Sequence, residues 1–370
     1  MLNKIKDCFD KNPVNFGRQR ELDIAKGIAI IFMSFSHCIE ILGWFFDPNI
    51  LPNPSWHDFD MVIKGLALIF IICMGISLCY STKNSVDALV RRAFNMAGIV
   101  VLLEISRTVI PTFFEWLIFR DFESIRYSGQ IFSVDILQFA TIALLMIALF
   151  KKLNIKPMLM IVISIVLSIV GQLLQGASTG SRLGDILAGY FWHSHDAAYF
   201  PMFNWLIAIV IGYALGHFWL RLKDKESFFK LITPICWIIS ILYFVSMVIV
   251  GEWYYFSSGC YCGIGVLDIF FMSVIFLAVA GTSHFLGKWI PKISNWLKSM
   301  GVRINSIYCI HWVIYAALYL TLKCVVGNDF IPMWAVVPVA ILVLIVADAL
   351  SRLYKRLQQD IRLSFCKKNT

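Results

Sequence analysis

RELDIAKGIAIIFMSFSHCIEIL, residues 20–42, decides the fold. Its first turns carry Arg20, Glu21, Asp23 and Lys26, after which it runs apolar, with His37 and Glu40 beyond its midpoint. Roughly 20 such residues suffice for a helix to cross a bilayer. The residues before it contain no apolar core, and no small-residue cleavage site follows it. It therefore reads as a retained helix rather than a removed leader.

The rest of the chain repeats this pattern. Of its 370 residues 59% are hydrophobic and 15% charged, against about 25% charged in soluble proteins, and the mean hydropathy is +0.76. Such a composition has too little polar surface to enclose a water-soluble core. It excludes a soluble enzyme, a disordered chain and a free nucleic-acid binder. An outer-membrane barrel would alternate apolar and polar residues instead of running apolar. The reading predicts an all-α polytopic membrane protein, one domain over 1–370. About ten spans are expected near 22–46, 61–81, 93–112, 133–150, 157–175, 202–220, 229–250, 265–286, 302–325 and 332–351. Residues 1–21 form an N-terminal segment, 352–370 a basic tail, and 113–132 an interfacial piece.

Lysine and arginine set the expected orientation. With the N-terminus in the cytoplasm, all of the 32 basic residues lie on the inner side except Lys64, Arg107, Arg120, Arg126, Arg182 and Lys323. An even number of spans keeps both basic termini there. The net charge of +9 thus follows from topology, with no nucleic acid needed. The outer side is acidic, and aromatic in GYFWHSHDAAYF (189–200) and EWYYF (252–256). Either an interfacial aromatic belt or a carbohydrate surface fits that composition. The absence of an N-x-[ST] sequon points to a bacterial cytoplasmic membrane. None of the ten cysteines has metal-ligand spacing, and His193 and His195 lack further ligands, so no metal is expected.

Ionisable groups inside spans are costly and mark function by default. Glu104 and Arg107, three residues apart, read as a structural pair. Lys64, Asp135, Gln138, Asn305 and His311 lie on other spans. His37 sits one turn from Glu40, so a neutral imidazole there could act as a general base, oriented by Glu40 or another polar group. A satisfied structural histidine is the alternative. Lys26 and His37 stand about 16 Å apart along the helix. A cation at the inner mouth and a base deep inside suit a long anionic donor such as acetyl-CoA. Lys26, Arg92 and Arg303 are candidates for its phosphates, although basic inner loops are also what orientation requires. Asn305, Ser306, Tyr308 or a backbone N–H could stabilise an oxyanion. No phosphate loop, dinucleotide fingerprint, nucleophile elbow or metalloprotease motif occurs.

The 20–42 segment resembles the first helix of the transmembrane acyltransferase superfamily. Its acyltransferase-3 members carry there a basic residue, ten residues and then a histidine, matched by Lys26 and His37. Four further stretches resemble the heparan-α-glucosaminide N-acetyltransferase branch, in the family's order. They are PSWHDFDMVIKGLALIFIICMGISLCYS (54–81), VDILQFATIALL (134–145), FPMFNWLIAIVIGYALG (200–216) and NSIYCIHWVI (305–314). The resemblance implies a membrane enzyme moving acetyl from cytosolic acetyl-CoA to an amine or hydroxyl of a saccharide on the far side. His37 is then the candidate base, Lys26 belongs to the donor end and His311 to the ninth-span motif. In the heparan branch the histidine lies in the following loop before a Ser-Trp pair. Here Ser55-Trp56 is followed by His57, so His37 and His57 both stay open as the base. Direct transfer and an acetyl-histidine route are both open, as is a homodimer. The rival reading is a secondary transporter or flippase, which would favour inverted repeats; none is visible.

Overall fold

The computed structural model describes residues 2–43, 54–82, 84–120, 132–252, 261–327 and 330–368, without the side chains of 2, 54–59 and 362–368. Its helices are, in order, α1 (Leu2–Asp7), α2 (Arg20–Leu42), α3 (Pro54–Gly65), α4 (Ala67–Tyr80) and α5 (Val86–Glu104). A π-turn (Ile105–Val109) leads into α6 (Ile110–Phe119). Then come α7 (Ile136–Lys152), α8 (Pro157–Leu173), α9 (Arg182–Ala188), α10 (Met202–Leu220), α11 (Lys225–Val250), α12 (Val266–Trp289), α13 (Pro291–Val302), α14 (Ile304–Thr321) and α15 (Met333–Lys368). Among the described residues there is no strand, only three isolated bridges.

Eight helical stretches are long and apolar enough to cross a membrane. The other two expected spans are the 17-residue helices α7 and α8, at the short limit for a crossing. Local chemistry explains several ends. Ser85 and Asp224 accept N–H bonds from Ala88 and Ser227, and Pro157 and Pro291 open α8 and α13, as helix N-termini favour. Gly251, at φ 75°, ends α11 in the left-handed conformation that glycine adopts without penalty.

Three boundaries differ from expectation. The second span breaks at Leu66 between α3 and α4. The third runs on through the π-turn to Phe119, absorbing part of the expected interfacial piece, whose residues 121–131 lie outside the description. The basic tail continues α15 as helix to Lys368. A break and a π-turn inside apolar helices redirect side chains, and such features recur at functional sites.

The most apolar stretches of α2, α10 and α12 and of the Asp60–Tyr80 span are 61–67% buried, against 22–33% for the 86–119 stretch, α11, α14 and α15. The first group is the centre of the bundle. The second shows apolar side chains outward, such as Ile238, Ile241, Leu242 and Val245 of α11, as lipid requires. Water cannot drive helices together in lipid, so close packing must. Accordingly Gly212 and Gly216 of α10 lie against Ile72 and Cys79 of α4, and Gly75 of α4 against Ile209; a Cβ at any of them would meet its neighbour. Gly27 of α2 and Gly301 of α13 close a second such contact.

The bundle has two distinct ends. At one, the N-terminal segment bonds to the α10–α11 turn (Asp10 N–H to Arg221 O, 2.8 Å), and Arg20 reaches Ser294 and Asn295 of α13. This is the basic end. At the other, Gly43 pairs with Ile331 and Val134 with Ala198.

Candidate active site

Near this second end the central helices part around a cavity of about 260 Å3. The last turns of α2 contribute Ser36, His37 and Glu40. Lys64 comes from the end of α3, Arg107 and Thr108 from the π-turn, Asp135 from the cap of α7, Tyr199 and Phe200 from the loop before α10, and Trp312 from α14.

His37 and His311 meet here. Their rings lie edge to edge and nearly parallel, 5.1 Å between centroids, with His37 Nδ1 2.8 Å from His311 Nε2. His311 Nδ1 lies 3.1 Å from the carbonyl of Ile307. A carbonyl only accepts, so His311 Nδ1 carries a proton. Its Nε2 is then the acceptor for His37 Nδ1–H, assigned from the network as usual for imidazoles. The remaining nitrogen of His37, Nε2, keeps its lone pair, and His37 lines the cavity. His311 is fully buried behind it. Trp312 packs on His37 at 4.3 Å and Tyr315 edges His311 at 5.7 Å.

Two charged clusters flank the pair. On one side Lys64 Nζ contacts Glu40 Oε1 (2.9 Å) and Asp60 Oδ2 (2.7 Å), while Ser36 donates to Asp60 Oδ1 (2.6 Å). On the other Arg107 binds Glu104 Oε1 (2.5 Å), Asp135 Oδ2 (2.6 Å) and Ser133 Oγ (3.1 Å). Tyr308 donates to the same Asp135 oxygen (2.6 Å), and Gln138 to Glu104 (2.8 Å). The Arg107 guanidinium lies 4.5 Å over Trp312. Buried charges persist only when paired and hydrogen-bonded; here two cations face four carboxylates.

The structure brings His37, Glu40 and His311 together, but Glu40 pairs with Lys64 and the group oriented against His37 is His311. Glu104–Arg107 is the pair expected, enlarged by Asp135, Ser133 and Gln138. His57 lies on α3, its side chain outside the described residues. Lys26 pairs with Asp23 (2.9 Å) at the basic end. Arg92 is half-buried on α5 and Asn305 exposed at the start of α14. Arg303 is buried, bound to Asp348 Oδ1 (2.6 Å) and to Ser351 of α15. None of these four lines the cavity. Sequence reasoning did not place Asp60, Ser36, Trp312 or Tyr199 in the site. A signal existed for Arg107 and Asp135, because a lone aspartate at a span start needs a cation from another helix.

The aromatic loop 189–200 partly frames the cavity through Tyr199 and Phe200. His193 Nδ1 there bonds the Ala198 carbonyl (2.9 Å). Burial, and then the neighbouring His193, hold His195 below the usual imidazole range, against Asp196 and Asp185. Most of EWYYF lies outside the described residues. Among the described residues no group of three His, Cys, Asp or Glu could hold a metal.

The family described as heparan-α-glucosaminide N-acetyltransferase, catalytic, matches residues 18–248. The match includes His37, Lys64, Arg107 and Asp135 and stops before His311. No curated protein and no solved structure matches the chain. A match over more than half of its length places this multi-pass membrane protein in the heparan-α-glucosaminide N-acetyltransferase catalytic family.

Proposed function

We propose that the chain transfers acetyl from cytosolic acetyl-CoA to an amine or hydroxyl of an extracytoplasmic saccharide, with His37 as general base. The observation that carries this is His37, oriented by His311 and lining a cavity between two charge clusters. A thioester is already activated, so transfer needs a base for the acceptor and donors for the oxyanion.

In this reading the acceptor N–H or O–H sits against His37 Nε2 and its heteroatom attacks the thioester carbonyl. The proton passes to Nε2. Lys64 and Arg107 are the cations near enough to the cavity to stabilise the oxyanion. When the C–S bond breaks, the thiolate of CoA takes the proton back from His37. The surplus of carboxylates offers acceptors to sugar hydroxyls or to an amino group. Tyr199, Phe200 and Tyr261 offer ring faces for a sugar.

A cavity of about 260 Å3 lies below the ~300–1,000 Å3 typical of ligand pockets. It suits the thioester and part of the acceptor, not a nucleotide. The nucleotide end of the donor belongs in this reading to the basic end of the bundle, where Lys26, Arg92, Arg303 and Asn305 are its candidates. That end faces the cytoplasm under the positive-inside rule, in a bacterial cytoplasmic membrane.

The test is turnover of purified, folded protein with radiolabelled acetyl-CoA and a panel of amino sugars. Sugar-stimulated release of CoA, absent in His37→Ala, is expected. Neither binding nor turnover at millimolar acetyl-CoA would overturn acetyl transfer in favour of transport.

A further inference from the structure

At the basic end, α13 and residues 352–359 of α15 enclose a second, open pocket of about 500 Å3. Lys298, Arg303, Arg352, Lys355 and Arg356 line it. Asp348 answers two of these cations, binding Arg303 through Oδ1 and Arg352 through Oδ2, each at 2.6 Å. Among the described residues Lys298, Lys355 and Arg356 have no ion-pair partner. Three positive charges thus converge on one space without compensation.

The polar groups between them point the same way. Asn295 uses its carbonyl oxygen to accept from Arg20 (3.1 Å), leaving its NH2 as a donor. Ser299 accepts from Arg303 (3.1 Å), leaving its O–H to donate. The lining thus offers hydrogen-bond donors and cations together, the chemistry of an oxyanion receptor. A cluster of lysine and arginine with spare donors fits a phosphate ester better than a single carboxylate, because phosphate presents more oxygens and more charge.

We propose that this pocket binds a phosphate ester, with the headgroup of an anionic phospholipid as the source its position favours. The site lies where α15 leaves its apolar stretch and turns basic, the part of a span expected to meet lipid phosphates. Trp289 at the end of α12 and Trp296 on α13 are both exposed, and tryptophan settles at that interface. Basic pockets flanking membrane helices hold anionic headgroups in this manner. The pocket shares Arg303 with the proposed donor end, but none of its residues lines the His37 cavity, and the test leaves Arg303 in place.

The test uses the full chain in nanodiscs of phosphatidylcholine, alone or mixed with phosphatidylglycerol, with retained lipid read by native mass spectrometry. Binding of inorganic phosphate and of CoA is measured in parallel on the detergent-solubilised protein. The variant is the triple Lys298→Gln, Lys355→Gln, Arg356→Gln, which breaks no recorded pair. The control is Lys4→Gln, Lys6→Gln, Lys11→Gln, which removes the same charge elsewhere. Selective retention of phosphatidylglycerol by wild type and control, lost in the pocket triple, is the expected result. Loss of phosphate or CoA binding in that triple alone, with lipid retention unchanged, would keep the phosphate site and make its source soluble. Equal behaviour of wild type and pocket triple with all probes, or equal losses in pocket triple and control, would overturn the proposal.

Discussion

At its basic end α2 presents Asp23 to Arg18 and Lys26, at 2.6 and 2.9 Å. About four turns further on, it presents His37 to His311 and Glu40 to Lys64, at 2.8 and 2.9 Å. Distances do not separate the two ends. What lies beside them does, since Arg20 and Glu21 of the basic end also reach other helices but border no such cavity. Asp23 is satisfied from its own segment, next to the exposed Arg18. His37 and Glu40 are met by α14 and α3, and their free sides border an open volume. An intramembrane charge therefore points to chemistry when several helices converge on it around a space, and to anchoring when no such cavity adjoins it.

Six substitutions at five positions test that contrast. His37→Ala should cut transfer by about 10²–10⁴-fold, the usual contribution of a general base, with unchanged yield and gel-filtration profile. If transfer survives and His57→Ala abolishes it, the base sits on α3 and the contrast between the ends of α2 fails. Arg107→Ala strands Glu104 and Asp135 in the bundle. Breaking a buried pair costs about 3–5 kcal/mol, visible as a lower Tm in detergent. Arg107→Lys should not restore it, because one ammonium lacks the guanidinium's forked geometry. His311→Ala removes the acceptor of His37 Nδ1–H. A loss of kcat of roughly 10–100-fold, the range known for partners that orient a reactive imidazole, is expected with a displaced pH profile and a nearly constant KM. An unmoved pH profile would reduce His311 to packing. Lys26→Gln touches a partly exposed pair and should cost at most about 1 kcal/mol, with any kinetic effect confined to the KM for acetyl-CoA.

The spans were legible because lipid leaves helices little choice of composition; α10 begins and ends where its apolar run does. The break at Leu66 and the turn at Ile105–Val109 were not, since Lys64 and Arg107 mark charge in those runs without showing where the helix changes its winding. His37 and Arg107 were legible as costly residues. Their partners were not, because the histidines that bond are 274 positions apart and Asp135 reaches Arg107 from another helix. Glu40 or another polar group was expected to orient His37, and the partner the structure sets there is His311. Position on one helix does not bring two side chains together when a lysine on α3 stands closer to one of them. Arg303 is the converse case. Its residue type suggested an anion partner from outside, and α15 supplies one from within the chain.

The hydrogen-bond chain from His37 through His311 stops at the carbonyl of Ile307. A peptide carbonyl cannot receive a proton at any ordinary pH and hand it on. The pair is thus a dead end and not a conduit. Whatever proton His37 collects must leave by the face on which it arrived. In the proposed reaction that proton leaves as the thiol hydrogen of CoA while acetyl goes the other way, so with a neutral acceptor no free proton is taken up or released on either side. Turnover in sealed vesicles should then be indifferent to an imposed pH gradient or to an uncoupler.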